Sequence, residues 1–124
     1  MINNTKILYD RIVNTPHIGE LIGDNIIHGT AGRAGRSDVV DIYLRVANGI
    51  IHEVKFKAHG SAATLAAAAL AAEKLHHLAV NQITEVTYPL IIKTLQLASN
   101  EMSSAVLVES ALQSAMQQIE NDHE

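Results

Sequence analysis

The sequence predicts an α+β fold in which helices pack on a small antiparallel sheet of three strands. Two strand-like runs flank Asn48-Gly49, a pair that supplies the positive φ angles of a tight hairpin turn. Beyond Gly60 the apolar residues change from a period near two to a helical period. The strand-like runs are grouped ahead of the long helices rather than alternating with them, which is the order typical of α+β domains.

The first part of the chain is predicted to contain one helix and the three strands. Thr5 is expected to cap a helix at 6–13, whose apolar side chains lie on one side. The run 25–30 is interpreted as a strand that flanks the hairpin. The hairpin strands are predicted at 38–46 and 50–58, because β-branched and aromatic residues alternate there with polar ones.

The second part is predicted to be helical. Ser61 is expected to cap a long alanine-rich helix at 61–78, and a proline suits the first turn of a further helix at 89–97. A short helical turn is predicted between them at 82–86. The last helix, at 101–119, is predicted from apolar residues spaced three or four apart that form one stripe. They are Met102, Ala105, Val106, Leu112, Ala115, Met116 and Ile119.

Length and composition restrict the class of protein. A chain of 124 residues is expected to form a single domain, residues 1–124, that is large enough to bury a core. Its formal charge of −4, without a lysine or arginine block, indicates neither a nucleic-acid partner nor an anionic membrane surface. Its apolar runs are shorter than the ~20 residues of a membrane span, and the first residues lack a leader pattern, so we expect a cytoplasmic protein.

Histidines and a glycine-serine junction are the features that could carry chemistry. The chain has no cysteine, which excludes disulfides, thiolate metal sites and a cysteine nucleophile. Its seven histidines lack the i, i+4 spacing of helical zinc motifs, but His59, Asp38 and His28 could form a site for iron or zinc. His59, Ser61 and Asp38 also supply the residue types of serine catalysis, although no nucleophile-elbow motif surrounds Ser61. We therefore expect no enzymatic activity.

A glycine-punctuated loop with two arginines precedes the hairpin. Residues 29–35 resemble a phosphate-binding loop only superficially, because they lack a Gly-Lys-Ser/Thr ending and lead into a strand. Arg33 and Arg36 are interpreted as solvated side chains, or as partners of an acid such as Asp38. Binding of an anionic ligand or partner by these arginines is the alternative.

Three segments resemble the motifs of the IscU/NifU-type iron–sulfur cluster assembly scaffolds, and the similarity spans roughly residues 6–119. The family's Ala-Cys-Gly-Asp corresponds to Gly-Arg-Ser-Asp at 35–38, and its Phe-Lys-x-x-Gly-Cys to Phe-Lys-Ala-His-Gly-Ser at 56–61. Its Leu-Pro-Pro-Val-Lys-x-His-Cys-Ser corresponds to Leu-Ala-Ser-Asn-Glu-Met-Ser-Ser-Ala at 97–105. The resemblance implies the IscU/NifU N-terminal-domain fold, but the ligand positions differ.

Family members assemble a 2Fe–2S cluster on three cysteine thiolates, with help from the aspartate or histidine. By the resemblance, the cysteine positions here hold Arg36, Ser61 and Ser104, and only the aspartate, Asp38, is retained. A serine hydroxyl rarely ionises and arginine is always charged, so neither replaces a thiolate. We therefore expect no bound cofactor, and a vestigial pocket. Its residues are Arg36, Asp38, His59, Ser61, Ser103 and Ser104.

The resulting hypothesis is a non-catalytic scaffold-family protein that serves as an accessory, regulatory or partner-binding module related to iron–sulfur cluster assembly. The alternative is weak binding of a mononuclear iron or zinc ion, or of a small anion, in the former cluster pocket. Expected partners are proteins, such as iron–sulfur assembly components, rather than nucleic acid or membrane, and a homo-oligomer is compatible with the sequence. Glu101 replaces the family's chaperone-recognition lysine, so we also expect that chaperone contact to be lost.

Overall fold

The computed structural model describes residues 3–32 and 37–122, except the side chain of residue 122. The helices and strands in chain order are α1 (Thr5–Asn14), β1 (Ile26–Ala31), β2 (Val39–Ala47), β3 (Ile50–His59), α2 (Ala62–Leu75), a 3-10 helix (Val80–Glu85), α3 (Tyr88–Leu95), a second 3-10 helix (Ser99–Glu101) and α4 (Met102–Asp122). The strands form one antiparallel sheet in the order β1-β2-β3, which confirms the predicted α+β class. Within these ranges, no helix is both long enough and apolar enough to cross a bilayer.

The turn between β2 and β3 has the geometry that the sequence predicts. Asn48 and Gly49 adopt φ angles of 54° and 75°, and Ala47 lies opposite Ile50 at the strand ends. Two consecutive left-handed residues match the right-handed twist of the strands that they join. The predicted Asn-Gly hairpin is therefore confirmed, and the short turn fixes the register of β2 against β3.

One face of the sheet is buried under α2 and α4. In β2, the buried side chains of Val40, Ile42 and Leu44 alternate with more exposed ones, so every second residue points to the helices. Helix α2 is buried along most of its length, and its alanines let α1, α4 and the sheet approach closely. The core therefore combines the alanines of α2 with larger aliphatic side chains from the sheet and the other helices.

Helix α4 lies directly along β1. A Cβ atom at Gly29 of β1 would lie 2.2 Å from the backbone carbonyl oxygen of Ala111. The backbone N–H groups on either side of Gly29 donate to Gln118 Oε1 at 2.7 Å and to Ser114 Oγ at 3.1 Å. Polar side chains of α4 thus satisfy amides on the outer edge of β1 that would otherwise lack partners.

The outer edge of β3 is covered by two short segments. The N–H of Phe56 donates to the carbonyl of His17 at 2.7 Å, and Gly19 returns a bond to the Phe56 carbonyl at 2.9 Å. Farther along the strand, Ile51 donates to the carbonyl of Leu78 at 2.9 Å. Both segments act as partial extra strands, so each outer edge of the sheet has hydrogen-bonding partners.

The predicted bounds of the four α-helices are wrong by one to three residues, and two of these differences have an evident cause. Helix α2 stops at Leu75 rather than at residue 78, because His77 takes a positive φ of 74° and the chain turns toward β3. Helix α1 begins at Thr5 itself, whereas Asn4 holds the cap position without a side-chain bond to the helix. In both places, hydrogen bonds to residues distant in sequence determine the end of the helix. Helix propensity depends on local sequence and cannot predict such bonds.

The predicted apolar stripe of α4 is partly wrong. Met102 and Val106 are 40% and 45% exposed, whereas Ala105 and Ala111 are completely buried. Each residue advances about 100° around a helix, which places Val106 well outside the arc between Ala105 and Ala111. The close approach to β1 selects the side of α4 with the smallest residues, and the larger apolar side chains at its start remain at the surface.

Gly29→Ala should destabilise the protein strongly. The added Cβ would meet the Ala111 carbonyl and, at 2.8 Å, the backbone nitrogen of Ala115. These backbone atoms cannot rotate away, so α4 must move off β1, and we expect a loss of about 3 kcal/mol in the free energy of unfolding. Urea denaturation measures the loss.

Adding Ala115→Gly to Gly29→Ala provides the control for this prediction. That change removes the Ala115 Cβ, which would also lie 2.8 Å from the Cβ added at residue 29, but leaves the carbonyl of Ala111 in place. The double variant should therefore remain destabilised. An unchanged urea midpoint for Gly29→Ala would contradict the close approach of α4 to β1.

Candidate functional site

Three parts of the chain converge at one end of the sheet and bring together three hydroxyl groups and a carboxylate. Asp38 lies just before β2, Ser61 and Thr64 lie at the start of α2, and Ser104 lies in the first turn of α4. The Thr64 hydroxyl donates to Asp38 Oδ2 at 2.6 Å, and Thr64 Oγ1 lies 2.8 Å from Ser104 Oγ. Ser61 Oγ lies 3.4 Å from Thr64 Oγ1 and 3.5 Å from Ser104 Oγ. We call these four residues the hydroxyl cluster.

The glycine-serine junction before α2 shapes the cluster. Ser61 is the N-cap of α2, as predicted, and its hydroxyl accepts the backbone N–H of Thr64 at 3.3 Å. Gly60 has a φ of +139°, and a Cβ atom there would lie 2.6 Å from both Cγ and Oδ1 of Asp38. Only glycine both adopts this backbone conformation and leaves room for the carboxylate. The junction thus places Asp38 against the start of α2.

Burial and the number of hydrogens on each group determine how Thr64 bonds to Asp38 and Ser104. Thr64 is completely buried and Ser104 is 4% exposed. A carboxylate only accepts and a hydroxyl has one hydrogen, so Thr64 gives its hydrogen to Asp38 and the Ser104 hydroxyl completes the contact with Thr64. In the described part of the chain, each buried side-chain nitrogen or oxygen has a partner. The cluster is therefore a satisfied polar network within the packing of α2 against α4.

The structure places the predicted site residues in three different settings. Asp38, Ser61 and Ser104 meet in the hydroxyl cluster. Ser103 and His59 are exposed, and neither side chain takes part in the cluster. The two loop arginines, Arg33 and Arg36, lie outside the described residues, and so does the predicted pairing of Arg36 with Asp38.

Thr64 is the cluster residue that sequence reasoning missed. It is the only polar residue between Ala62 and Ala72, a stretch otherwise composed of alanine and leucine. A threonine three residues after an N-cap serine is common in helices, so its presence alone does not indicate a site. Its position within an alanine run that packs in the core was the available signal, since a buried hydroxyl requires a partner.

The hypothesis of a metal site formed by His28, His59 and Asp38 is wrong. His28 lies on the outer face of the sheet, where its Nε2 contacts Asp41 Oδ1 at 2.7 Å and its ring stacks on Tyr43 at 4.6 Å. Strand alternation therefore directs the His28 side chain away from α2 and α4. Across residues 3–32 and 37–122, no three histidine or acidic side chains are grouped so that they could hold a metal ion.

The residues present do not fit an iron–sulfur cluster. Such clusters are held mainly by cysteine thiolates, and the chain has no cysteine. Ser61 and Ser104, which stand at family cysteine positions by the resemblance, carry neutral hydroxyls that are hydrogen-bonded within the hydroxyl cluster. The retained aspartate, Asp38, already accepts a short hydrogen bond from Thr64 through Oδ2. The cluster's hydroxyl groups can hold the two helices together but cannot replace thiolate ligands.

The fold is an α+β domain in which helices pack on a three-stranded antiparallel sheet, with the hydroxyl cluster at one end of the sheet. The sequence profile of the NifU-like N-terminal domain family matches residues 3–124. The chain therefore belongs to the NifU-like N-terminal domain family, and it is related to the iron–sulfur cluster assembly scaffolds.

Individual relatives agree with this membership. The iron–sulfur cluster assembly protein 1 of Trachipleistophora hominis is 25% identical over 109 residues, which cover 86% of this chain and 79% of the relative. The N-terminal part of a NifU-like protein from Brucella abortus has a TM-score of 0.76 at 15% identity and 94% coverage of both chains. A protein of Fervidobacterium islandicum AW-1, described as an iron–sulfur cluster assembly scaffold for the SUF system, has a TM-score of 0.75 at 16% identity, with 90% of this chain and 95% of that chain covered. The two solved structures show the shared fold.

Thr64→Val tests whether the hydroxyl cluster is a stabilising network. Valine keeps the shape of the side chain, but Asp38 loses its donor and Ser104 loses its partner. We expect the free energy of unfolding to fall by about 1–3 kcal/mol, the usual cost of leaving buried polar groups unsatisfied. Urea denaturation measures the free energy of unfolding of the wild type, Thr64→Val and Thr64→Ser.

Thr64→Ser is the matched control, because serine retains the hydroxyl and loses only a methyl group, which costs ~1 kcal/mol. The valine variant should therefore be the less stable of the two. A valine variant more stable than the serine variant would mean that packing, rather than hydrogen bonding, determines stability at this position.

Proposed function

We propose that this protein is a non-catalytic accessory module of iron–sulfur cluster assembly that binds a protein partner and does not itself hold a cluster. The observation that carries the proposal is the hydroxyl cluster. At Ser61 and Ser104, hydroxyls replace the thiolates that the family uses, and both are tied into hydrogen bonds with Thr64. The scaffold fold is thus kept while its ligand chemistry is absent.

Burial of Ser104, which stands at a ligand position by the resemblance, supports a role based on the surface of the fold. In a cluster-holding protein the ligand side chains must remain available to iron, whereas Ser104 is buried here against α2. A buried polar network also fixes how α2 and α4 are positioned relative to each other. The fold therefore presents a defined surface around the former ligand positions, and that surface is what a partner would recognise.

The start of α4 supports the choice of a protein partner. Met102 and Val106 lie one turn apart, and both are large apolar side chains that remain exposed among the described residues. Exposed apolar side chains of this size are common in protein contacts and uncommon as a contiguous group elsewhere. They lie on the outward side of α4, about 160° around the helix from Ser104 of the hydroxyl cluster. The names of the related proteins point to iron–sulfur assembly components as the class of partner.

The alternative of a mononuclear metal ion or small anion in the pocket gains no support from the geometry. The Thr64 amide at the start of α2 is already bound to the Ser61 hydroxyl, so this amide is not available to an anion. Asp38 Oδ2 is bound to Thr64, and the described residues provide no group of three metal-binding side chains. Partner binding is the better-supported function.

Anaerobic reconstitution with iron and sulfide tests the loss of cluster binding. The wild-type protein should stay colourless and retain neither iron nor acid-labile sulfide, because it supplies no thiolate. Replacing Arg36, Ser61 and Ser104 together by cysteine should give visible absorption with stoichiometric iron and sulfide, since Asp38 and the helix N-terminus are already in place. Ser110→Cys in place of Ser104→Cys provides a control with the same number of thiols.

The two possible failures of this test have different meanings. Iron and sulfide bound to the wild-type protein would refute the proposed function directly. A colourless, folded triple-cysteine variant would leave the absence of a cluster in the natural protein intact. It would show that the pocket no longer has the family's geometry.

Binding to purified assembly components tests the positive part of the proposal. Titration calorimetry against the cysteine desulfurase and the cysteine-containing scaffold from the same organism should detect a complex with at least one of them. Met102→Asp and Val106→Asp should weaken it at least about tenfold, because each places a charge in an apolar contact. Gln117→Asp, on an exposed site farther along α4, should leave it unchanged. Absence of binding to both proteins would contradict the partner-binding function.

A further inference from the structure

Asn4 is a buried polar residue that the hydroxyl cluster does not explain. It lies just before α1 and is 7% exposed. Its side-chain nitrogen donates to the backbone carbonyl of Gln96 at 2.9 Å and to Glu101 Oε1 at 2.8 Å. Its side chain makes no capping bond to α1, although asparagine is a preferred N-cap residue. The side-chain amide of Asn4 therefore bonds to residues more than ninety positions away and not to its own helix.

Those distant residues form the connection between α3 and α4, residues 96–101. Gln96 adopts φ 55° and ψ 50°, a left-handed conformation that is unfavourable for a residue with a Cβ. At the other end, the Glu101 oxygen that Asn4 contacts also accepts the backbone N–H of Ala98 at 2.9 Å. One carboxylate oxygen and one amide thus hold both ends of a strained connection.

This connection leads directly to the hydroxyl cluster. Helix α4 begins immediately after Glu101, and Ser104 follows in its first turn. Leu97 is 3% exposed and donates its N–H to the carbonyl of Ile92 at 3.0 Å, which anchors the connection to α3. The position of residues 96–101 therefore determines where the first turn of α4 starts.

We propose that Asn4, just before α1, is a conformational latch that holds the α3–α4 connection in a closed state, and that this connection can open without unfolding of the sheet. In the open state Gln96 leaves the left-handed conformation, and the Glu101 carboxylate and the Ala98 amide become available to solvent or to a ligand. Opening breaks the hydrogen bonds of Asn4 and the capping bonds from the Gln96 N–H to the carbonyls of Ile92 and Lys93, and it releases backbone strain at Gln96. The released strain offsets part of the free energy lost with the hydrogen bonds. Opening the connection therefore costs less free energy than unfolding the core.

Amide hydrogen exchange at single-residue resolution tests the latch. In Asn4→Ala, exchange of the amides of Leu97, Ala98 and Glu101 should accelerate about tenfold or more, because a charge-assisted and a neutral hydrogen bond are lost. The Phe56 amide in β3 should exchange at the wild-type rate. Asn14→Ala is the matched control, since Asn14 is an exposed asparagine whose amide bonds only to the nearby Asp10 carbonyl.

A second pair of variants removes the latch from the opposite side, and it applies even where Asn4→Ala folds poorly. Glu101→Gln keeps an oxygen that accepts from both Asn4 and Ala98, so protection should persist. Glu101→Ala removes that acceptor and should accelerate exchange in the same three amides. In the double variant Asn4→Ala/Glu101→Ala the acceleration should be smaller than the product of the two single effects. Both changes break the shared Asn4–Glu101 contact, and each also breaks one contact of its own.

Strain at residue 96 provides an independent check. Glycine adopts the left-handed conformation without a Cβ penalty. Adding Gln96→Gly to Asn4→Ala should therefore slow amide exchange in the connection several-fold relative to Asn4→Ala alone. A uniform acceleration across β3, α2 and the connection would overturn the latch, since Asn4 would then support the whole fold. Unchanged exchange at 97–101 in both Asn4→Ala and Glu101→Ala would overturn it as well.

Discussion

The close approach of α4 to β1 at Gly29 determines much of this structure. With backbone packed against backbone, α4 has little freedom to slide or rotate on the sheet. Its polar side chains then lie where they satisfy the edge of β1, and its first turn lies where Ser104 reaches Thr64 at 2.8 Å. The alanine-rich helix α2 imposes the same constraint from the other side, because small residues admit neighbours that larger ones would exclude.

Within that packing, the hydroxyl cluster gives structural roles to residues that, by the resemblance, stand at the ligand positions of the family. Serine at 61 caps a helix, and serine at 104 shares a buried network with Thr64 and the retained Asp38. Each polar group has a partner, so the cluster avoids the cost of an unsatisfied buried hydroxyl. The absence of cysteine is therefore accommodated by the surrounding residues, which is consistent with a fold maintained for its surface.

Local sequence signals predicted the elements of the fold, and together with the family resemblance they predicted three of the four residues of the hydroxyl cluster. The Asn48-Gly49 turn and the Ser61 cap depend on neighbouring residues only, and both were predicted from sequence. The end of α2, the exposed Met102 and the role of Asn4 depend on partners distant in the chain. The periodicity of apolar residues cannot predict such distant partners. Thr64 was missed for the same reason, because only the three-dimensional packing shows that its hydroxyl is buried beside Asp38.

The hydrogen bonds along the two outer strands restrict how another chain could associate with this domain. An exposed strand edge recruits extended peptides by strand addition, which provides affinity through main-chain bonds that are largely independent of sequence. Here α4 side chains occupy the β1 edge, and segments 17–19 and 77–79 pair with β3. A partner that added a strand would first have to displace one of these segments. Recognition through side chains on helices and connections is therefore favoured, and edge-to-edge aggregation of the domain is disfavoured.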